Sequence, residues 1–174
     1  MEREVQFLRS QVGNAVMQHQ AFLNALEAHE DQADDQRFRD LCSRHVPQMR
    51  RHQRTLEEYQ SQLGAGAVTG RKIPGMAPGA ARDLADSARE SDFLRLAGDI
   101  VMSRQVGDTF KTFREAGKMM GYHTLREIGD IGERYHDAYV NDANRLVQHM
   151  FVEHAQGIDR VAPPSAATEL EASP

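Results

Sequence analysis

The sequence has little of what anchors most functional assignments. Cysteine occurs once, at Cys42, so no disulfide framework forms within a chain and no paired-cysteine metal site exists. Tryptophan is absent and aromatic residues make up 6% of the 174, which argues against an extended aromatic platform for bases or sugars. No stretch approaches the roughly 20 apolar residues of a transmembrane helix. The opening MEREVQFLRSQ alternates acid, base and apolar residues where a signal peptide needs an unbroken apolar run. Neither sign of charge dominates: the formal net charge is -5 and the pI near 5.9, so nucleic acid is not an expected partner despite the small basic patch Arg50, Arg51 and Arg54. There is no phosphate-binding glycine loop and no nucleophile elbow. These absences lead to the expectation of a cytoplasmic, non-membrane protein with no recognisable enzymatic signature.

What is present is helical periodicity. Val5, Leu8, Val12, Ala15, His19, Phe22, Leu26 and His29 recur on three- and four-residue steps and predict a first helix over 3–30. The polar break Asp31 to Asp35 supplies N-cap candidates for a second helix over 36–63, whose stripe is Phe38, Leu41, His45, Met49, His52, Leu56, Tyr59 and Leu63. A break this short predicts antiparallel neighbours. Pro47 interrupts the second helix, where it removes the donor to the Ser43 carbonyl and predicts a kink or bulge. Phe93, Leu96, Ile100, Val106, Phe110 and Phe113 mark a third helix reaching 120. Thr124-x-x-Glu127 reads as the capping box of a fourth helix over 124–156, with Gly157 as its stop.

Two stretches lack periodicity. Residues 64–80, GAGAVTGRKIPGMAPGA, form a Gly/Pro-rich linker long enough to cross the length of a bundle. Residues 158–174 read as a disordered tail, leaving 1–157 as the folded domain. FLRSQVGNAVMQHQ in the first helix resembles FLRLAGDIVMSRQ in the third, a faint repeat that suggests two similar helix pairs.

The chemistry-bearing residues lie on these helices. His19, His45 and His52 occupy apolar-stripe positions, with His19 and His45 expected at nearly one depth. Glu133 and His136 are three apart and share a helix face, and Asp108 is placed near Glu133 across the turn at 121–122. A buried imidazole needs a partner for each nitrogen, and either a metal ion or a hydrogen-bond network meets that need. The ordinary reading of Asp108 is an ion pair, with Arg104 as its partner, and Cys42 is most simply a small buried residue. His29, His123 and His154 are expected at helix ends in solvated or capping roles. Apolar area is expected near Tyr59, Phe113 and Phe151.

This layout resembles the ferritin-like superfamily of four-helix bundles, in particular the small bacterial stress-associated members with two helix pairs and a glycine-rich crossover. The resemblance spans about residues 3–156. It implies an all-α bundle of two antiparallel helix pairs, a transition metal (iron, zinc or manganese) inside it, and assembly into a homo-oligomer. In that family the first and third helices each supply a carboxylate, while the second and fourth each supply Glu-x-x-His. Here Glu133-x-x-His136 is intact, the second helix has Met49-x-x-His52, and the first presents His19 in place of an acid. The implied metal ligands are therefore drawn from His19, His45, His52, Asp108, Glu133 and His136. Two functions follow: a stress or metal-homeostasis protein, or a non-catalytic bundle acting through protein contacts or self-assembly.

Overall fold

The computed structural model describes residues 2–64 and 91–161. Among them all regular structure is helical: α1 Glu2–Gln32, α2 Gln36–Gln62, α3 Asp92–Met120 and α4 His123–Val161. The described residues form an all-α four-helix bundle. The linker and tail predicted for 64–80 and 158–174 fall largely outside the described residues.

The helix ends follow from local chemistry. Asp35 caps α2, its carboxylate accepting from the Arg37 amide at 2.8 Å. After α2 the chain turns at Gly64, whose φ of 76° is left-handed and suits glycine. Gly121 (φ 71°) closes α3, and the Tyr122 amide donates to the Gly117 carbonyl at 2.8 Å.

The start of α4 differs from expectation. The Arg126 amide donates to the Tyr122 carbonyl at 3.0 Å, so the helix begins at His123 and Thr124 lies inside its first turn. The turn brings the Arg126 backbone so close to Gly117 that a methyl group there would stand 2.5 Å from the Arg126 nitrogen. At the far end α4 continues through Gly157 to Val161. An interior glycine costs only about 1 kcal/mol, too little by itself to stop a long helix.

Contacts between helices fix their arrangement. Along α1 and α2, Arg9 donates to the Leu63 carbonyl, His19 meets Gln53 at 2.8 Å, Glu27 meets Arg50 at 2.6 Å and Glu30 meets Ser43 at 2.8 Å. Numbering rises along one helix as it falls along the other. The same holds for α3 and α4, through Asp99 with Tyr139, Ser103 with His136 and Arg114 with Glu133. His29–Asp99 (2.8 Å) joins α1 to α3, and His45–Asp142 (3.0 Å) joins α2 to α4. The Asp35 amide donates to Asp92 at 2.6 Å. Thus α2 ends beside Arg9, whereas α3 begins beside Asp35, at the opposite end of the bundle.

Helices α3 and α4 pack unusually close because glycines face the contact. A methyl group on Gly117 would stand 2.5 Å from the Arg126 nitrogen, and one on Gly129 would stand 2.6 Å from the Phe110 carbonyl oxygen. Phe22, Leu26, Phe38, Leu41, Met49, Leu56, Leu96, Phe110, Leu125 and Tyr139 fill the core.

Pro47 does not interrupt α2, which runs unbroken from Gln36 to Gln62 with Pro47 on its exposed side. Ser43 is also exposed, so water can serve the carbonyl that lacks its donor. Pro47→Ala restores that bond and should raise the free energy of unfolding by up to about 3 kcal/mol. Urea titration followed by circular dichroism measures this; a destabilised variant would show that the proline shapes the bundle.

Candidate functional site

Three of the predicted residues meet at mid-bundle. His19 of α1 lies with its ring centroid 5.2 Å from His52 of α2 and 5.3 Å from His136 of α4. Each touches the Phe110 ring, at 5.6, 4.8 and 5.5 Å respectively. All three imidazoles are almost wholly buried. The faces come from helical spacing, and the register comes from the α1–α2 contacts, which set His19 level with Gln53. His19 and His45 were expected at one depth. They are not: His19 lies level with Gln53, about two turns further along α2 than His45.

The hydrogen bonds assign the ring protons. Gln53 directs its amide nitrogen at Glu57 (2.8 Å) and the Val16 carbonyl (3.4 Å), both acceptors, so its oxygen faces His19 Nδ1 at 2.8 Å. His19 Nδ1 therefore carries the proton and Nε2 presents a bare lone pair. Ser103 Oγ lies 2.9 Å from His136 Nδ1 and 3.5 Å from the His136 carbonyl. Donation to that carbonyl leaves Oγ to accept from Nδ1–H, and His136 Nε2 is likewise bare. The Nε2 atoms of His19, His52 and His136 are all buried without a hydrogen-bond partner.

Burial depresses the basicity of all three. His19 is lowered to about 4, desolvation outweighing the raising effect of its bond to Gln53. His52 falls to about 3 through desolvation and the proximity of His19, and His136 lies well below the usual value for the same reasons. The cluster is neutral near pH 7. Gly132 makes room for it: a methyl group there would stand 2.6 Å from His52 Nε2 and 2.5 Å from Phe110 Cγ.

The remaining predicted residues do not join this cluster. His45 Nε2 lies 3.0 Å from Asp142, its Nδ1 takes a bond from Gln48 at 2.8 Å, and both nitrogens are occupied. Glu133 turns aside to an ion pair with Arg114. Asp108 is exposed. Both acids line an outer groove of about 230 Å³ between α3 and α4, together with Arg104, Lys111 and Asp137, and its floor reaches Ser103 and His136. These positions do not fit the carboxylate-rich two-ion centre that the ferritin-like resemblance implies. Among the described residues, no group of three or more His, Cys, Asp or Glu side chains stands arranged to hold a metal ion.

A second polar cluster joins α1, α3 and α4. Asp99 is buried and accepts from His29 at 2.8 Å and Tyr139 at 3.2 Å. Burial raises its carboxyl above the usual range, against the lowering effect of the His29 bond. His29, in the last turn of α1 and partly buried, is thus held by Asp99 instead of standing solvated. Cys42 is buried and free, and burial pushes its thiol well above the ordinary value, which makes it unreactive.

Exposed apolar surface also lies elsewhere than expected. Tyr59 and Phe113 are buried, and of the three residues named only Phe151 is exposed. The larger feature is a groove of about 500 Å³ between the start of α1 and the α3–α4 turn, lined by Val5, Phe7, Leu8, Phe113, Met120 and Tyr122 among others. Phe7 is 67% exposed beside it. Its sequence signal was Phe7, an aromatic just off the α1 stripe.

No protein-family model, curated protein or solved structure matches the chain. Among the described residues, no helix is long and apolar enough to cross a membrane.

Proposed function

We propose that this bundle acts through protein contacts, as a non-catalytic module whose partner at the α1/α3–α4 groove is a second copy of itself. One observation carries the reading: the groove is apolar, open, and flanked by its own projecting side chain, Phe7. Val5, Met119, Met120 and Tyr122 widen the apolar surface at the same end of the bundle, and clustered exposed apolar area marks interaction sites. A groove beside its own knob is self-complementary: about a two-fold axis, the Phe7 of each copy enters the groove of the other. Arg3 and Glu4 on the rim supply one charge of each sign, so the copies meet without forced like-charge repulsion.

The ferritin-like arrangement, with antiparallel pairs and a crossover between them, belongs to the same proposal. It is supported by the positions of the helix ends, since α2 stops beside Arg9 and α3 starts beside Asp35. The placement of Asp108 and Glu133 speaks against that family's two-ion chemistry, so architecture is shared here more readily than activity.

Light scattering at tens of micromolar tests the reading. The parent should sediment and scatter as a dimer, while Phe7→Asp gives a monomer with unchanged helical content. A monomeric parent at that concentration would overturn it, as would a Phe7→Asp dimer.

A further inference from the structure

We propose that His19, His52 and His136 form a binding site for one divalent transition cation of the zinc class, held by their three Nε2 atoms in the bundle interior. The inference is independent of self-association and of the carboxylate pattern of ferritin-like centres, since no acid is a ligand.

Its first support is the orphaned atoms. Three buried nitrogens on three different helices lack any partner, and an unsatisfied buried polar atom costs roughly 1–3 kcal/mol. Phe22 and Phe110 pack against the rings and offer no donor, and the Tyr135 ring meets His52 edge-on without a hydrogen bond to its Nε2. A cation bound by the neutral imidazoles gives all three nitrogens a partner at once.

The second support is the protonation pattern. A histidine that binds a metal through Nε2 characteristically donates its Nδ1–H to a fixed acceptor, which sets the tautomer and orients the ring. Gln53 does this for His19, and Ser103 for His136. Gln53 is itself anchored by Glu57, so the orientation is built in before any ion arrives.

Spacing is the third. With a zinc–nitrogen distance of about 2.0–2.1 Å, two imidazoles on a tetrahedral ion have ring centroids about 5.3 Å apart. The observed separations about His19 are 5.2 and 5.3 Å. The rings pack edge to face, at interplanar angles of 71° and 79°. Binding therefore requires the rings to turn until the Nε2 atoms converge, since the side chains as they stand are not arranged around an ion. The absence of a side chain at Gly132 is what lets His52 Nε2 reach its place beside Phe110.

Access is the fourth. The outer groove lined by Asp108, Glu133 and Asp137 ends on His136 and Ser103, and its carboxylates attract a cation, offset in part by Arg104 and Lys111. Asp108 and Glu133 thus lie on the approach and not in the coordination shell. Imidazole ligands suit zinc, copper, nickel and iron(II) better than magnesium or calcium.

Full-length protein, prepared without a metal-chelating tag and stripped with a chelator, should be titrated calorimetrically with zinc chloride near pH 7.5. One equivalent should bind per chain and raise the melting temperature, and cobalt(II) should give the intense visible bands of a tetrahedral site. His136→Gln and His19→Gln should each weaken binding by at least roughly 100-fold, and Ser103→Ala by about 10–100-fold through loss of the bond that orients His136. His154→Ala should bind as the parent does. Circular dichroism confirms that each variant is folded; should a core variant unfold, the cobalt spectrum of the Ser103→Ala protein decides instead. Less than about a tenth of an equivalent bound, or unchanged affinity in folded His136→Gln or Ser103→Ala, would overturn the proposal. The mass of the parent with and without zinc separates this outcome from the fate of the dimer, which does not depend on it.

Discussion

Acidifying the metal-free protein from pH 7 to pH 5 should remove about 4 kcal/mol of folding stability through His19 and His52 alone. The folded state holds these groups at about 4 and about 3, both below the ordinary value of 6.5. The unfolded chain therefore takes up protons below pH 6.5 that the folded chain refuses. Stability is fully present above 6.5 and is lost as pH falls toward the folded values, at about 1.4 kcal/mol per pH unit for each histidine. His136 and His45 are shifted in the same direction and add to the loss. Asp99 works in the opposite sense, since its raised carboxyl is relieved by protonation in the fold, but it is one group against four. Domains of this size are stable by only about 5–15 kcal/mol, so acid unfolding should be complete well above pH 3. Urea midpoints at pH 7, 6 and 5 measure the slope. A flat profile would mean that the three rings are solvated or bonded in some other way.

The second large effect is expected at Gly129. Alanine in place of a helical glycine ordinarily stabilises by about 1 kcal/mol. At Gly129 the new methyl group meets the Phe110 carbonyl oxygen at 2.6 Å and the Arg114 backbone. Neither can yield without driving α3 and α4 apart along their contact. Gly129→Ala should therefore destabilise by about 2–3 kcal/mol net, lowering the melting temperature by roughly 4–12 °C. Gly107→Ala is the control, because its methyl would meet only His136 Cβ at 3.3 Å. That variant should stay within about 1 kcal/mol of the parent. Equal effects at the two positions would contradict the close packing.

The helices themselves were largely legible, and the reason is local. Asp35, Gly64 and Gly121 each act through their own turn, and the apolar stripes of α1 and α2 repeat at the helical period, so their bounds fell within two residues. Thr124 misled because a capping box describes an unconstrained helix start. Here the helix begins at His123, in a turn that packs the Arg126 backbone tightly against Gly117.

The site was legible as a set of residue types but not as a geometry. His19, His52 and His136 stood out as polar residues on buried faces, and they do meet. Which other residues meet them depends on inter-helix register and on side-chain direction, and sequence spacing fixes neither. Glu133 shares a face with His136 yet is drawn to Arg114, 19 positions back on another helix. His29 meets Asp99 across 70 positions. The glycines did carry a signal: Gly129 and Gly132 lie one turn apart inside a strong helix, a pattern whose purpose is close approach.

Apart from Phe7, just off the α1 stripe, the groove at the α1 end had no sequence signal, since its walls come from three chain segments and its openness depends on how they cross. It is also where the central claim is most directly tested. In a mixture of isotope-labelled and unlabelled protein at tens of micromolar, filtered nuclear Overhauser spectra report only contacts between copies. The account predicts contacts from the Phe7 ring of one copy to Phe113, Met120 and Leu125 of the other. Contacts between copies that arise only from other surfaces, or none from Phe7, would contradict it.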